Sequence, residues 1–219
     1  MRTGSLTRAL RPYEQALVSG GNLMAVTSEG RRLRWDVGRW LAPIDDTDRT
    51  VLARCDGPTL DVGCGPGRFV HASALAGQIA LGVDIAAAAV ELTARRGAAV
   101  LLRSVFGRVP GEGRWQTVLL MDGNIGIAGD PAALLTRLAQ LLASDGQLLV
   151  ETDPDPHADH RLRVRLGGPG TGSSYGPEFG WALVGRRALG RHAAEAGLRQ
   201  NGSWEAGGRE FARLTLSRR

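Results

Sequence analysis

Residues 60–69 read Leu-Asp-Val-Gly-Cys-Gly-Pro-Gly-Arg-Phe, an apolar run that breaks into alternate glycines and passes directly into a helical pattern. Few segments constrain a fold as tightly. Glycine at every second position lets the backbone turn sharply and approach a ligand with no Cβ in the way. The helix that follows presents unpaired amides and a partial positive charge, suited to a carboxylate or phosphate. A dinucleotide fingerprint needs its third glycine at position 68, which holds Arg68, so the spacing Gly63-x-Gly65-x-Gly67 is of another kind.

From residue 44 onward, short apolar runs alternate with helical patterns, the signature of a parallel sheet covered on both faces. The capping residues and periodicities predict a helix over Asp46–Cys55, a strand over Thr59–Val62, a helix over Pro66–Ala76, a strand over Ile79–Asp84 and a helix over Ala86–Arg96. Strands at Ala98–Leu102 and Thr117–Met121, a helix at Pro131–Leu142 and a strand at Gln147–Thr152 follow. Asp153 to Gly180, rich in glycine and proline, reads as loop, then a short strand at Trp181–Val184 and a helix at Arg186–Ala196. Arg199–Glu205 and Arg209–Leu216 flank Ala206-Gly207-Gly208 as an antiparallel hairpin. Residues 1–43 differ in character and are expected to form a helical cap on a single domain over 44–219.

Composition narrows the chemistry. With 219 residues, 43% apolar and 22% charged, the chain can bury a core without disulfide or metal staples. No lysine occurs, so all 27 cations are arginine and the net charge is 27 − 22 = +5. Schiff-base chemistry, a phosphate-loop lysine and a lysine base are thereby excluded. The surplus is modest and reflects a preference for arginine, and a nucleic-acid partner is not expected. Two cysteines, Cys55 and Cys64, fit neither a disulfide scaffold nor a metal template and suit a reducing cytoplasm. The first twenty residues lack the apolar run of a signal peptide, and Ile79 to Val90, interrupted by Asp84, is too short and too charged to span a membrane.

Nineteen residues beyond Gly65, the run Ala80-Leu81-Gly82-Val83-Asp84 sets a carboxylate at a strand tip, placed to accept the hydroxyls of a ribose or to cap the next helix. With these two features the sequence resembles a class I S-adenosylmethionine-dependent methyltransferase. LDVGCGPGRFV is similar to that superfamily's first motif, GVD to its second, and VLLMDGNIGIAGDPAALLTRLAQLLASDGQLLVETD to its fourth-strand and fifth-strand pair. The resemblance implies an α/β, doubly wound sheet of seven strands in the order 3-2-1-4-5-7-6, with the last strand antiparallel. It implies S-adenosyl-L-methionine as cofactor, with Asp61, Gly63, Cys64, Gly65 and Gly67 at its methionine end, Asp84 at its ribose and Ile85 on its adenine. Ser104 and Val105 take the place where such enzymes flank adenine, without the acid many of them carry there. Asp122, Gly123 and Asn124 follow the fourth strand, facing cofactor and substrate, although the same residues favour a plain turn.

An oxygen or carbon acceptor calls for a general base, and His157 and His160, beyond the fifth strand, are the candidates; solvent-exposed loop histidines are the competing reading. His71 and His192 read as structural. Asp153, Asp155, His157, Asp159 and His160 match no metal template, and no metal is expected. Arg161, Arg163 and Arg165 share one face of an extended segment, to grip an acidic substrate or to wet a surface. Tyr175, Phe179 and Trp181 are candidates for an acceptor pocket or for packing under the loop. The expected function is methyl transfer to a small molecule. The alternatives are an RNA methyltransferase and a cofactor- or nucleotide-binding protein without transfer activity.

Overall fold

The computed structural model of the chain describes residues 3–168 and 175–217. Two short helices, α1 (Thr3–Ala9) and α2 (Arg11–Ser19), lead into a hairpin of β1 (Leu23–Thr27) and β2 (Arg32–Trp35) and a one-turn helix α3 (Val37–Leu41). The alternating region follows as α4 (Asp46–Leu52), β3 (Thr59–Val62), α5 (Arg68–Leu75), β4 (Ala80–Asp84), α6 (Ala87–Arg95), β5 (Val100–Leu102) and β6 (Trp115–Leu120). A 3-10 segment (Asn124–Gly129), α7 (Pro131–Leu141), β7 (Leu142–Thr152), β8 (Asp159–Gly167), β9 (Phe179–Val184), α8 (Arg186–Glu195), β10 (Leu198–Ala206) and β11 (Arg209–Leu216) complete it.

The main sheet runs β10-β11-β7-β6-β3-β4-β5, with β3 to β7 parallel and β11 antiparallel to β7. Counted from β3 this is the expected order 3-2-1-4-5-7-6. Its central strands are apolar on both faces because helices cover both. Along β6 and β7, Val118, Leu120, Leu148 and Val150 bury against α7 and α8, while Leu119, Met121 and Leu149 join Phe69 and Phe211 on the other side. Each such side chain contributes about 1.5–3 kcal/mol of burial.

The departures lie in the second sheet, ordered β2-β1-β8-β9. The N-terminal segment is not purely a helical cap: its hairpin pairs with β8, Ala25 opposite Leu166. The stretch read as loop from Asp153 holds nine residues of strand, while 169–174 lie outside the described residues. The strand read at Trp181–Val184 starts at Phe179 and pairs with β8, not with the main sheet. In the main sheet, β7 begins at Leu142, because Trp115 pairs with it across a bulge before the ladder resumes at Thr117 and Gln147. The small sheet buries Leu23, Ala25, Val164, Leu166 and Phe179 against α2 and α6, which makes it a roof over the carboxyl ends of β3 and β4. No described helix is long and apolar enough to cross a membrane.

Candidate active site

The glycine turn after β3 is held from several sides. The Gly63 and Cys64 amides donate to the Val83 carbonyl (2.9 and 3.2 Å), tying the turn to β4. Gly63 has φ +69°, and a Cβ there would sit 2.7 Å from Asn124 Nδ2, which donates to the Val62 and Gly63 carbonyls (3.1 and 2.9 Å). Gly67, at φ +78°, opens α5, and a Cβ on it would collide with Thr93 of α6 at 2.4 Å. Two of the three motif glycines are thus required by close neighbours as well as by backbone conformation.

Asp84 joins this turn to the next. Its Oδ2 accepts from the Gly65 amide (2.9 Å) and its Oδ1 from Ala86 N (2.8 Å), so the ribose-type carboxylate is also the brace between the two βα turns. Burial raises its pKa, and the amides of Ala86, Gly65 and Ile85 oppose the rise. Asp61, 3% exposed, lies behind the turn; burial pushes it up to about 7, with Arg68 pulling down and Asp122, Asp84 and Asp48 pushing up.

Beside the turn three arginines and three carboxylates interlock. Arg68 Nε donates to Asp48 Oδ2 (2.7 Å) and its Nη1 to Asp122 Oδ2 (2.5 Å). Arg209 spans Glu151, with bonds of 2.9 and 2.6 Å, and Asp48 at 2.7 Å. Arg39 donates to Asp122 Oδ1 (2.7 Å), and Asp122 N donates to Glu151 Oε2 (2.7 Å). Burial favours protonating Asp48, but hydrogen bonds and charge from Arg68 and Arg209 hold it below the ordinary carboxylate value. Arg68 and Arg209, for all their burial, are raised by the same carboxylates. Asp122 itself has φ +57° in a turn with Gly123 at φ +76°, a conformation Asp tolerates better than most residues.

Between turn and roof lies a cavity of about 330 Å³. Gly63, Cys64, Gly65, Asp84, Ile85, Ser104, Val105, Asp122 and Asn124 line it, as do Phe179 and Trp181. Asp61, Gly67, Gly123 and Tyr175 are not among the lining residues. Neither are His157 and His160. They sit with the Asp153–Asp159 stretch at the start of β8, where Asp153 and Asp155 accept from backbone amides two residues on (2.9 Å each) and Asp159 pairs with His192 and Arg191. Those acids serve turns and an ion pair, and the described residues include no cluster of three or more metal-type ligands.

Sequence reasoning missed Tyr13, Trp35, Trp40, Arg68 and Arg103 as lining residues. The Tyr13 hydroxyl lies 3.2 Å from where a Cβ on Gly65 would be, and burial first, then Asp84, Cys64, Asp122 and Glu14, raises its pKa well above the ordinary value. It stays a neutral phenol over the turn. Arg68 lies within the quoted motif and Arg103 beside Ser104, whereas no local pattern ties Tyr13, Trp35 and Trp40 to the turn, because they reach it only across the fold. The Trp35 and Trp40 indoles were the available signal.

The family described as methyltransferase domain matches residues 37–199. The chain belongs to that family. It is a class I, S-adenosylmethionine-dependent methyltransferase by family and fold, as the motifs implied. No curated protein matches the methyltransferase in sequence. Among solved structures it is similar to a SAM-dependent methyltransferase from Bacteroides fragilis in complex with S-adenosyl-L-homocysteine. That match has 20% identity, covers 100% of this chain and 98% of the other, and gives a TM-score of 0.78. The CcbJ methyltransferase from Streptomyces caelestis shares 15% identity over 82% of this methyltransferase and 92% of its own chain (TM-score 0.62). The Burkholderia thailandensis 1,6-didemethyltoxoflavin-N1-methyltransferase, with 1,6-didemethyltoxoflavin and S-adenosylhomocysteine bound, shares 16% over 78% and 75% (TM-score 0.58).

Proposed function

We propose that the enzyme transfers the methyl group of S-adenosylmethionine to a small-molecule acceptor inside the cavity between the two sheets. The observation that carries this reading is the cavity itself, with the glycine turn and Asp84 on its floor and aromatic rings on its roof. The residues fit the cofactor. The Gly65 amide and Asp84 form a cradle that a Cβ would crowd against Tyr13, and the indole Nε1 of Trp40 is buried without a protein partner. Gly63, Cys64 and Gly65 would hold the methionine end, backed by Asp61 and Gly67. Asp84 would take the ribose, and Ile85, Ser104 and Val105 the adenine. Asp122, Gly123 and Asn124 would shape the junction between cofactor and acceptor.

When bound, the cofactor supplies a methyl group already activated on a sulfonium, so alignment and exclusion of water are the protein's main tasks. Arg68 and Arg39 fix the Asp122 carboxylate, and Asn124 is fixed by two carbonyls, so this edge of the cavity is rigid. Tyr13 and the tryptophans exclude water from above. A small acceptor is favoured by the size of the cavity and by the arginines beside it: Arg39, Arg68 and Arg209 are paired with buried acids, which leaves them poorly placed for phosphates. The enzyme's structural neighbours include a 1,6-didemethyltoxoflavin-N1-methyltransferase and a sugar N-methyltransferase.

Calorimetry tests the reading. S-adenosylhomocysteine is expected to bind one per chain and NAD not at all; silence with S-adenosylhomocysteine overturns it.

A further inference from the structure

The roof constrains the acceptor, on the premise that the methyl-transfer reading above holds. Four ring contacts run along it without a break. Phe179 meets Trp181 (centroids 6.4 Å, 83°), Trp181 meets Trp35 (4.9 Å, 51°), Trp35 meets Trp40 (5.9 Å, 64°) and Trp40 meets Tyr13 (5.8 Å, 80°). All five rings line the cavity, joined by Leu10 and Ile127. Trp181 is fixed from behind, because its indole lies where a Cβ on Gly126 would be, 2.6 Å away. The roof is an apolar, polarizable wall with no acid on it among the described residues, favourable to a flat π-system and, through its ring faces, to the positive charge that a methylated ring acquires.

Among the described residues, every ionisable group that lines the cavity is engaged or neutral. Asp84 holds two backbone amides, and Asp122 is bound at both oxygens by Arg68 and Arg39. Arg103 donates to the Arg108 carbonyl (2.7 Å). Burial, reinforced by neighbouring acids, keeps the Tyr13 phenol and the Cys64 thiol protonated. No histidine or glutamate lines the cavity among the described residues, and the chain has no lysine. An aliphatic amine arrives as an ammonium and an alcohol with its proton on, and nothing here is free to remove either proton.

We infer that the acceptor is an uncharged, planar nitrogen heteroaromatic, methylated on a ring nitrogen whose lone pair is free at neutral pH. That lone pair forms the new N–C bond as the S–C bond of the sulfonium breaks. The S–C electron pair stays on sulfur, giving the thioether S-adenosylhomocysteine, and the positive charge passes to the methylated ring. Where that ring carries an N–H, the proton is lost to water after release.

The test uses the full chain with quinoxaline and pteridine as heteroaromatic probes, and cyclohexylamine, glucosamine and phenol as contrasts. The heteroaromatics are expected to quench tryptophan emission of the complex with S-adenosylhomocysteine. With S-adenosylmethionine they are expected to gain one methyl on a ring nitrogen, while the contrasts do neither. In an Asp61→Asn background, which removes a buried carboxyl raised to about 7 behind the turn, kcat for acceptors that do not titrate is expected to be level between about pH 6 and 9, as no protein base takes part. Trp181→Leu is expected to raise the acceptor's KM at least about tenfold while S-adenosylhomocysteine affinity stays within about twofold, and Trp181→Phe to recover most of the loss. Heteroaromatics that neither quench nor react while S-adenosylhomocysteine binds, preferential methylation of an amine, or kcat titrating with a protein group in the Asp61→Asn background would each overturn the inference and leave methyl transfer standing. Failure to bind S-adenosylhomocysteine overturns the reading beneath it.

Discussion

At the scale of single residues, two buried aspartates on neighbouring strands, both raised in pKa by burial, play different parts. Asp61 is buried, and its pKa rises from 3.8 to about 7, chiefly by burial and against the pull of Arg68. Between these two values the native state keeps a proton that the unfolded chain has released, so Asp61 makes stability fall as pH rises through that window. Asp61→Asn is therefore expected to leave the thermal midpoint near pH 4 unchanged and to raise it at pH 8, by about 2–4 °C per kcal/mol gained, which scanning calorimetry at the two pH values measures. Asp84 instead accepts two amides. Asp84→Ala orphans both donors, at about 1–3 kcal/mol each, and removes the proposed ribose partner, whereas Asp84→Asn keeps one acceptor oxygen. Both variants are expected to weaken S-adenosylhomocysteine binding at least about tenfold by calorimetry, with the larger fall in thermal midpoint confined to Ala. Near-native affinity in Asp84→Asn would remove the ribose assignment.

At the scale of elements, α6 lacks a cap of its own: Ala86 stands at the N-cap with no side-chain bond. Glu14 of α2 supplies one, its Oε1 accepting from Ala87 N (2.8 Å) and Ala88 N (3.4 Å). A carboxylate at a helix N-terminus is also favoured by the dipole, so this contact latches the N-terminal helices to the main domain. Removing a cap costs about 0.5–2 kcal/mol. Glu14→Ala is expected to speed proteolytic nicking of the first twenty residues by about two- to thirty-fold, with the core fragment intact, since cleavage follows the opened population. An unchanged nicking rate would mean that the latch contributes nothing. The elements of the main sheet were legible because its strands are apolar runs punctuated by glycine and capped helices; Thr59–Val62 was read to the residue. β8 was not, because Arg161, Arg163 and Arg165 fill one exposed face, His160 is exposed on the other, and only Val164, Leu166 and Gly167 are buried. The alternation of its arginines was the one trace of a strand. The glycine turn and Asp84 could be found for the same local reason. The Arg68–Asp48 and Arg209–Asp48 pairs could not: they join positions 20 and 161 residues apart, and no local pattern reports such a pairing.

At the scale of the molecule, the cavity exists because the small sheet is held over the carboxyl edge of the main one, with Ala182 and Val184 of β9 buried in the main core. The roof strands leave the main sheet after β7 and return to it through α8. They are pinned by Asp159 to His192 (2.9 Å), by Trp181 over Gly126, and by Arg39 to Asp122. The buried network ties α3, α4, α5, β7 and β11 to the turn after β6, and removing one partner from such a network strands another charge at a cost of about 3–5 kcal/mol. Arg209→Leu is accordingly expected to lower the thermal midpoint by about 6–20 °C. The two sheets are expected to unfold together. Trp35, Trp40 and Trp181 sit in the roof layer, so tryptophan emission is weighted to that layer, whereas far-ultraviolet circular dichroism averages over both sheets. If the pins couple the layers, the two probes follow one curve. A ligand held between the layers must then move both probes by the same amount: at a hundred times its dissociation constant S-adenosylhomocysteine adds about 2.7 kcal/mol, or about 5–10 °C. A shift seen in emission alone would mean that the roof closes on its ligand as an independent lid, and that the ion pairs crossing to it are too weak to transmit the binding energy.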